Sequence, residues 1–214
     1  MKLKKITIFV GLSIIILIIS SCSPKVASVR YDVVDSEMMN KSLGHDIAVG
    51  ILNIPDRRHD SEGKEKLIGS VYGGFKNVIR RIYSEQPINL DVIDAFGNLF
   101  SANGFHVMKY PGVTDCDELS AERLCIKGYI NKFWTESYYK VGAEVDIDAE
   151  IYDRKLNEVI WSGKIKGIQK KGMGGGVFAN TDKMVLFLNE VFSDAIKTAW
   201  TTQGMREALE RLSR

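Results

Sequence analysis

Hydrophobic and polar positions alternate strictly through the middle of the chain. Between residues 141 and 152, apolar residues at odd positions alternate with mainly acidic residues at even positions. A period of two is typical of a strand with one buried and one solvated face. Residues 153–157 predict a turn, after which Val159 and Ile165 continue the buried face. Residues 124–134 predict the preceding strand, so the pattern indicates an antiparallel meander.

Upstream, the pattern predicts shorter elements. The apolar spacing at 67–83 fits a helix, but Gly69, Gly73 and Gly74 argue against it. Each glycine within a helix destabilises it by about 1 kcal/mol relative to alanine. We therefore favour a hairpin there. In chain order, the predictions are a strand at 47–54, a charged loop at 57–66, a hairpin of 67–72 and 78–83, a helix between Pro87 and Asn103, and a strand at 105–108.

The C-terminal part predicts a flexible connector followed by a helix. Residues 173–176 are Met-Gly-Gly-Gly, and Asn180 or Thr181 is suited to cap the next helix. Apolar residues at helical spacing between Met184 and Ala199 give that helix one buried stripe. Helices placed on one face of a mainly antiparallel sheet predict an α+β two-layer sandwich.

The N-terminus predicts export. Basic residues at 2–5 precede a 14-residue apolar run at 6–19, and Ser20, Ser21 and Cys22 follow. This order is typical of a secretory signal peptide, and the run is shorter than the roughly 20 residues of a spanning helix. Ile19 and the following residues resemble the lipobox of bacterial lipoproteins. The resemblance implies that Cys22 is acylated and becomes the first mature residue. The alternative is an ordinary signal peptide with a chance cysteine.

The lipobox divides the chain into three predicted parts. These are a signal peptide at 1–21, a lipidated N-terminus and polar tether at 22–44 with one short strand at 29–34, and a single globular domain at 45–214. Several acyl chains on one residue make a stable anchor, so we expect the chain to be anchored to a membrane. Ser23 stands where an aspartate retains such lipoproteins in the inner membrane. The resemblance therefore implies the periplasmic face of an outer membrane, or the cell membrane if the organism has no outer membrane.

Composition and motifs disfavour several classes of function. The formal net charge of +2 includes lysines of the signal peptide, so the mature chain is close to neutral, unlike nucleic-acid-binding domains. The glycine-rich stretches lack the Lys-Ser/Thr of a P-loop, and His45, His59 and His106 have no zinc-site spacing. We therefore predict no enzyme activity, no cofactor, no metal, no nucleotide and no nucleic acid.

Two cysteines remain once Cys22 is assigned to lipid. Cys116 and Cys125 form an even pair, which suits an oxidising compartment outside the cytoplasm. A disulfide and two free thiols are the alternatives, and we favour the disulfide.

An acidic stripe runs along the solvated face of the strand at 141–152. It could form a cation or partner site, or simply a solvated face paired with Lys164 and Lys166, which we favour. Successive outward residues on a strand lie about 6.6 Å apart, which is poor geometry for a compact metal cage. The stripe consists of Glu144, Asp146, Asp148 and Glu150.

An aromatic group follows the strand at 124–134. Trp134, Tyr138 and Tyr139 lie within six residues at the predicted end of the sheet. Aromatic side chains are enriched at interfaces, so this group is a candidate contact with a partner or with lipid. Packing into the core is the alternative.

The order of elements resembles the YajG-type lipoproteins. The motifs are a lipobox, Asp56-Arg57-Arg58 after the first strand, Ile68-Gly69-Ser70, Asn103-Gly104-Phe105 and Gly128-Tyr129-Ile130. The order is also similar to that of PqiC-like auxiliary lipoproteins of ABC transport systems, and both groups resemble the N-terminal domain of TolB. The YajG-type resemblance implies no catalytic residue.

These features favour a non-enzymatic envelope lipoprotein that binds or helps to assemble a protein partner. The alternative is an auxiliary lipoprotein subunit of an envelope lipid-transport system of the ABC/MCE type. That alternative predicts an apolar groove between helix and sheet.

Overall fold

The computed structural model describes residues 24–31, 39–58, 64–172 and 180–213, which build one mixed sheet with helices on one face. Most of the pairing is antiparallel, so the predicted α+β sandwich is confirmed. The strands are β1 Lys25–Ala27, β2 Ala48–Leu52, β3 Leu67–Tyr72, β4 Val78–Ser84, β5 His106–Tyr110, β6 Leu124–Ser137, β7 Val141–Asp153 and β8 Glu158–Lys171. The helices are α1 Ile88–Ala102, α2 Thr181–Thr201 and α3 Met205–Glu210.

β6 joins two halves of the sheet. One side of β6 pairs with β7 over its whole length, as the alternating pattern predicts. The other side pairs in parallel with β2 near Leu124 and with β3 near Ser137. Between these two regions the sheet opens, and an isolated bridge between Asp56 and Ile130 lies in the gap. β5 extends the half that contains β2, and β4 and β1 extend the half that contains β3.

The core lies between the sheet and the helices. Phe133 of β6 and Phe192 of α2 pack edge to face with ring centroids 5.1 Å apart, and both are almost completely buried. Phe100 of α1 meets Trp200 of α2 in the same way at 6.1 Å. Side chains thus fill the interface in which the lipid-transport alternative places an apolar groove.

Local signals define the helix ends. The side chain of Asn180 accepts hydrogen bonds from two backbone N–H groups at the start of α2, as predicted. α1 begins after Pro87, and Asn103 is its C-cap. Gly104 follows with φ of +86°, a left-handed conformation that favours glycine. Among the described residues, no helix is long and apolar enough to cross a bilayer.

The segment predicted to be a tether is part of the fold where the structure describes it. β1 pairs in parallel with β4, starting with Lys25 opposite Ile82. Val29 and Tyr31 are buried in the core. A short strand therefore lies at 25–27, and the described part of the strand predicted at 29–34, residues 29–31, is not a strand, because parallel pairing with β4 outweighs the weak local pattern. Residues 32–38, the signal peptide, Cys22 and the 173–176 connector lie outside the described residues.

Candidate partner-binding surface

Within the described residues, a second small core covers one end of the sheet face opposite the helices. The segment between β5 and β6 folds over this end and buries Leu119 against Leu52. Cys116 and Cys125 lie in this core and are joined by a disulfide. The disulfide, which we favoured over two free thiols from the sequence, therefore fixes the cover to the start of β6.

The other end of this face carries an open hollow of 470 Å³. Trp134, Glu144 and Ile168 lie side by side across β6, β7 and β8, because register places them in one row. Trp134 is half-buried, whereas Ile168 is 54 % exposed. Gly142 contributes no side chain to the floor, and Tyr72 forms part of the wall. The hollow thus combines aromatic and aliphatic surface with a polar rim.

Lysines from the neighbouring strands compensate the acidic stripe. Lys164 lies 3.6 Å from Asp146 and 3.5 Å from Asp148, and Lys166 lies 3.9 Å from Asp146. The charge of Asp146, followed by that of Asp148, raises the pKa of Lys164. The predicted pairing with Lys164 and Lys166 is confirmed. Among the described residues, no three His, Cys, Asp or Glu side chains are grouped so that they could hold a metal ion.

The aromatic turn after β6 contacts the hairpin loop between β3 and β4. The hydroxyl of Tyr138 donates to the carbonyl of Gly74 at 2.9 Å and lies 3.2 Å from the hydroxyl of Tyr139. The hydrogen bond to Tyr139 raises the pKa of Tyr138. Tyr139 is 73 % exposed, so core packing does not account for it. The structure thus separates the predicted aromatic group, with Trp134 in the hollow and the tyrosines at the end of the sheet.

Arg58 lies inside the opening between β2 and β3, although sequence reasoning assigned it to a charged loop. Its side chain is 4 % exposed and that of Asp56 is 10 % exposed. Arg58 is buried because it lies in the gap between two strands that are distant in sequence, and no local sequence pattern marks such a gap. In the sequence, only the Asp56-Arg57-Arg58 motif pointed to Arg58. Its ion pair with Asp56 stabilises the opening of the sheet.

A second hollow, of 610 Å³, lies between the N-terminal segment and α1. Its wall includes Asp91, which is 7 % exposed and accepts hydrogen bonds from Ser84 at 2.5 Å and Gln86 at 2.8 Å. Burial raises the pKa of Asp91 to about 6, and the hydrogen bonds only partly offset this effect. The position of Asp91 in an amphipathic helix did not predict that its carboxyl group is buried.

Comparisons with known proteins identify the fold. The sequence matches no family model and no curated protein. The structure is similar to protein XCC0632 from Xanthomonas campestris, of family DUF330, with a TM-score of 0.57 and 10 % identity over 87 % of this chain and 98 % of that chain. It is also similar to an uncharacterized protein, with a TM-score of 0.50 and 8 % identity over 83 % and 97 % of the two chains. These similarities support the fold seen in the DUF330 protein and not the YajG-type family specifically.

Proposed function

We propose that this chain is a lipid-anchored lipoprotein of the bacterial cell envelope that binds a protein partner and catalyses no reaction. The lipobox-like sequence ending in Cys22 supports the anchor. Ser23 after that cysteine favours the periplasmic face of an outer membrane. The disulfide between Cys116 and Cys125 is consistent with folding outside the cytoplasm.

The hollow around Trp134 carries the proposal of partner binding. Half-exposed aromatic residues in a concave site are the usual anchors of protein interfaces. Ile168 adds apolar area beside Trp134. Charged residues border it in the manner of an interface rim: Lys132, Glu136, Glu144 and Lys170.

The neighbouring edge strand extends this surface. β8 pairs with β7 on one side, and among the described residues no strand pairs with its other side. An exposed edge can accept a strand from a partner through backbone hydrogen bonds. β8 carries Lys164, Lys166 and Lys170. These charges disfavour non-specific pairing of β8 with the edge strands of other molecules, so the edge remains accessible to a specific partner.

The test is crosslinking of the anchored protein in intact cells, followed by identification of the captured protein. Gly142→Leu fills the hollow, since a Cβ at this position meets its nearest neighbour, Glu136, only at 3.6 Å. Gly112→Leu is the matched control because a Cβ there has no atom within 4 Å, and Gly112 lies outside the hollow. We expect Gly142→Leu to reduce capture of one specific protein about tenfold, as for loss of one interface anchor.

Capture of that protein should persist in Gly112→Leu and be lost in Cys22→Ala, which removes the acylation site. Equal capture by the Gly142→Leu and Gly112→Leu variants would refute binding at the hollow. A mature protein without acyl chains on Cys22 would refute the anchor.

A second candidate is the auxiliary subunit of an envelope lipid-transport system. The fold shared with the DUF330 protein favours it, since DUF330 is grouped with PqiC-like proteins. The buried contact between Phe133 and Phe192 weighs against a lipid groove at the helix–sheet interface. Stoichiometric phospholipid in the purified protein, with no captured protein, would favour this candidate.

A further inference from the structure

One end of the sheet carries an exposed group of aromatic residues, which we call the aromatic tip. We define the aromatic tip as the two segments that carry these residues, namely the β3–β4 loop at 73–77 and the β6–β7 turn at 138–140. Phe75 is 98 % exposed and Tyr139 is 73 % exposed. The hydrogen bond from Tyr138 to Gly74 holds the loop and the turn together. Phe75 and Tyr139 thus leave apolar surface in water at one end of the sheet, and burial of this surface in an apolar environment would be favourable.

The charges of the aromatic tip are basic. Lys76 and Lys140 are its two charged residues, and neither the loop nor the turn contains an acidic residue. The ammonium of Lys76 lies 5.9 Å from the centroid of the Tyr138 ring. Aromatic rings flanked by lysines are suited to the interface between lipid headgroups and acyl chains, and the lysines attract anionic headgroups.

The chain enters the domain in a direction that leads to the same end. β1 runs parallel to β4, with Lys25 opposite Ile82. β4 begins at Val78, directly after the loop that carries Phe75. Following β1 backwards from Lys25 therefore leads towards the aromatic tip.

The distance from Cys22 to the sheet is short. Three residue steps separate Cys22 from Lys25, and an extended chain spans at most about 3.6 Å per residue, so the two α-carbons lie within about 11 Å. A domain held at this distance cannot stand away from the bilayer that holds the acyl chains.

We propose that the aromatic tip inserts into the headgroup region of the bilayer in which Cys22 is anchored, with Phe75 and Tyr139 as the inserted side chains. The proposal rests on the anchor of the proposed function and goes beyond it by assigning an orientation. The strands that end at the tip then stand upright on the membrane. The hollow around Trp134 faces sideways, close to the membrane surface, where a membrane-associated partner could reach it.

The experiment measures how fast a water-soluble maleimide modifies a cysteine at the tip. The full-length acylated protein is reconstituted into vesicles of phosphatidylethanolamine and phosphatidylglycerol. Asn77→Cys places the probe in the exposed loop and leaves Phe75 and the tyrosines intact. Leu156→Cys is the control, because Leu156 is a 51 % exposed apolar residue in the β7–β8 turn at the opposite end of the sheet.

We expect the Asn77→Cys protein to react about tenfold more slowly than the Leu156→Cys protein in vesicles, after each rate is normalised to that of the urea-unfolded variant. Adding Phe75→Asp to Asn77→Cys should restore the faster rate, because an ionised side chain opposes insertion.

Equal rates for the two probes in a protein whose Cys22 is acylated would overturn the orientation and leave the anchor standing. Absence of acylation would overturn both proposals. Protection in cell envelopes without protection in pure lipid vesicles would assign the tip to a protein partner and overturn the lipid assignment.

Discussion

Arg58 and Asp56 form a two-point ion pair inside the opening of the sheet. Nε of Arg58 donates to Oδ1 of Asp56 at 2.8 Å, and Nη2 donates to Oδ2 at 2.7 Å. Nη1 donates to the carbonyls of Leu67 at 2.8 Å and Phe133 at 2.9 Å. These carbonyls belong to β3 and β6, the strands that border the opening. The guanidinium therefore donates to both strands across the opening.

Replacing Arg58 should destabilise the protein strongly. Arg58→Ala leaves a buried carboxylate and two carbonyls without these donors, and removal of one partner of a buried ion pair costs about 3 to 5 kcal/mol. Arg58→Lys should restore only part of this loss, because an ammonium cannot reproduce the planar fork. Urea unfolding followed by circular dichroism measures the difference.

Arg57→Ala is the matched control for Arg58. The exposed guanidinium of Arg57 lies 3.2 Å from the centroid of the Tyr129 ring, and such an exposed contact contributes about 0.5 to 1 kcal/mol. Similar losses for Arg57→Ala and Arg58→Ala would show that the pair with Asp56 does not support the opening.

The disulfide should stabilise the cover over β6. Cys116 and Cys125 close a short loop, with a sequence separation of 9 residues. In the chain-entropy model, a loop of this length contributes about 2 to 3 kcal/mol. We expect the double variant Cys116→Ser, Cys125→Ser to lose about this amount in urea unfolding. Partner capture should be unchanged, because the hollow around Trp134 lies at the other end of the face. Unchanged stability would show that the second core alone holds the cover.

Elements with local signals could be predicted from the sequence. Strict alternation between 141 and 152 identifies β7, because this strand packs one face against the helices and turns the other face towards solvent. The glycines at the turn predict the hairpin of β3 and β4, and Asn180 predicts the start of α2 because it is suited to cap a helix. In each case the residues that specify the element lie within the element or beside it.

Features that depend on distant contacts could not be predicted. Lys25–Ala27 is too short for a pattern, and its position depends on parallel pairing with β4, more than fifty residues away. Burial of Arg58 depends on a gap between strands that are distant in sequence. The predicted hairpin places Phe75 in its turn, but the contact of that turn with the β6–β7 turn depends on residues more than sixty positions away. The sequence located Tyr138 and Tyr139 but not the loop they contact.

Neutralising the centre of the acidic stripe should have little effect on stability. Asp146 and Asp148 pair with exposed lysines across strands, and such pairs contribute about 0.2 to 1 kcal/mol each. We expect Asp146→Asn and Asp148→Asn each to lower the free energy of unfolding by less than about 1 kcal/mol. Ca²⁺ or Zn²⁺ should leave the melting temperature of the wild-type protein unchanged. A metal-dependent rise that is lost in both variants would assign a cation site to the stripe.

Asp91 should make stability depend on pH. Its folded-state pKa of about 6 lies above the ordinary 3.8, so the folded state binds a proton more tightly than the unfolded state between these values. The contribution of Asp91 to the free energy of unfolding is therefore fully present below about pH 4 and is lost as the pH rises through 6, by up to about 3 kcal/mol. Asp91→Asn removes this titration, and its amide can still bond to Ser84 and Gln86.

The measurement is urea unfolding of wild type and Asp91→Asn at pH values between 4 and 7, since the difference between the two curves isolates Asp91 from other titrating groups. The stability of Asp91→Asn relative to wild type should rise over this range. Asp94→Asn, measured at pH values extended below about pH 4, provides a comparison of opposite sign. Burial opposes the shift there, but hydrogen bonds from Lys109 and Gln86 lower the pKa of Asp94 below its ordinary value. Stability lost in Asp94→Asn should therefore be present at neutral pH and disappear as the pH falls through that lowered pKa. Parallel curves for wild type and Asp91→Asn would show that Asp91 is ionised throughout.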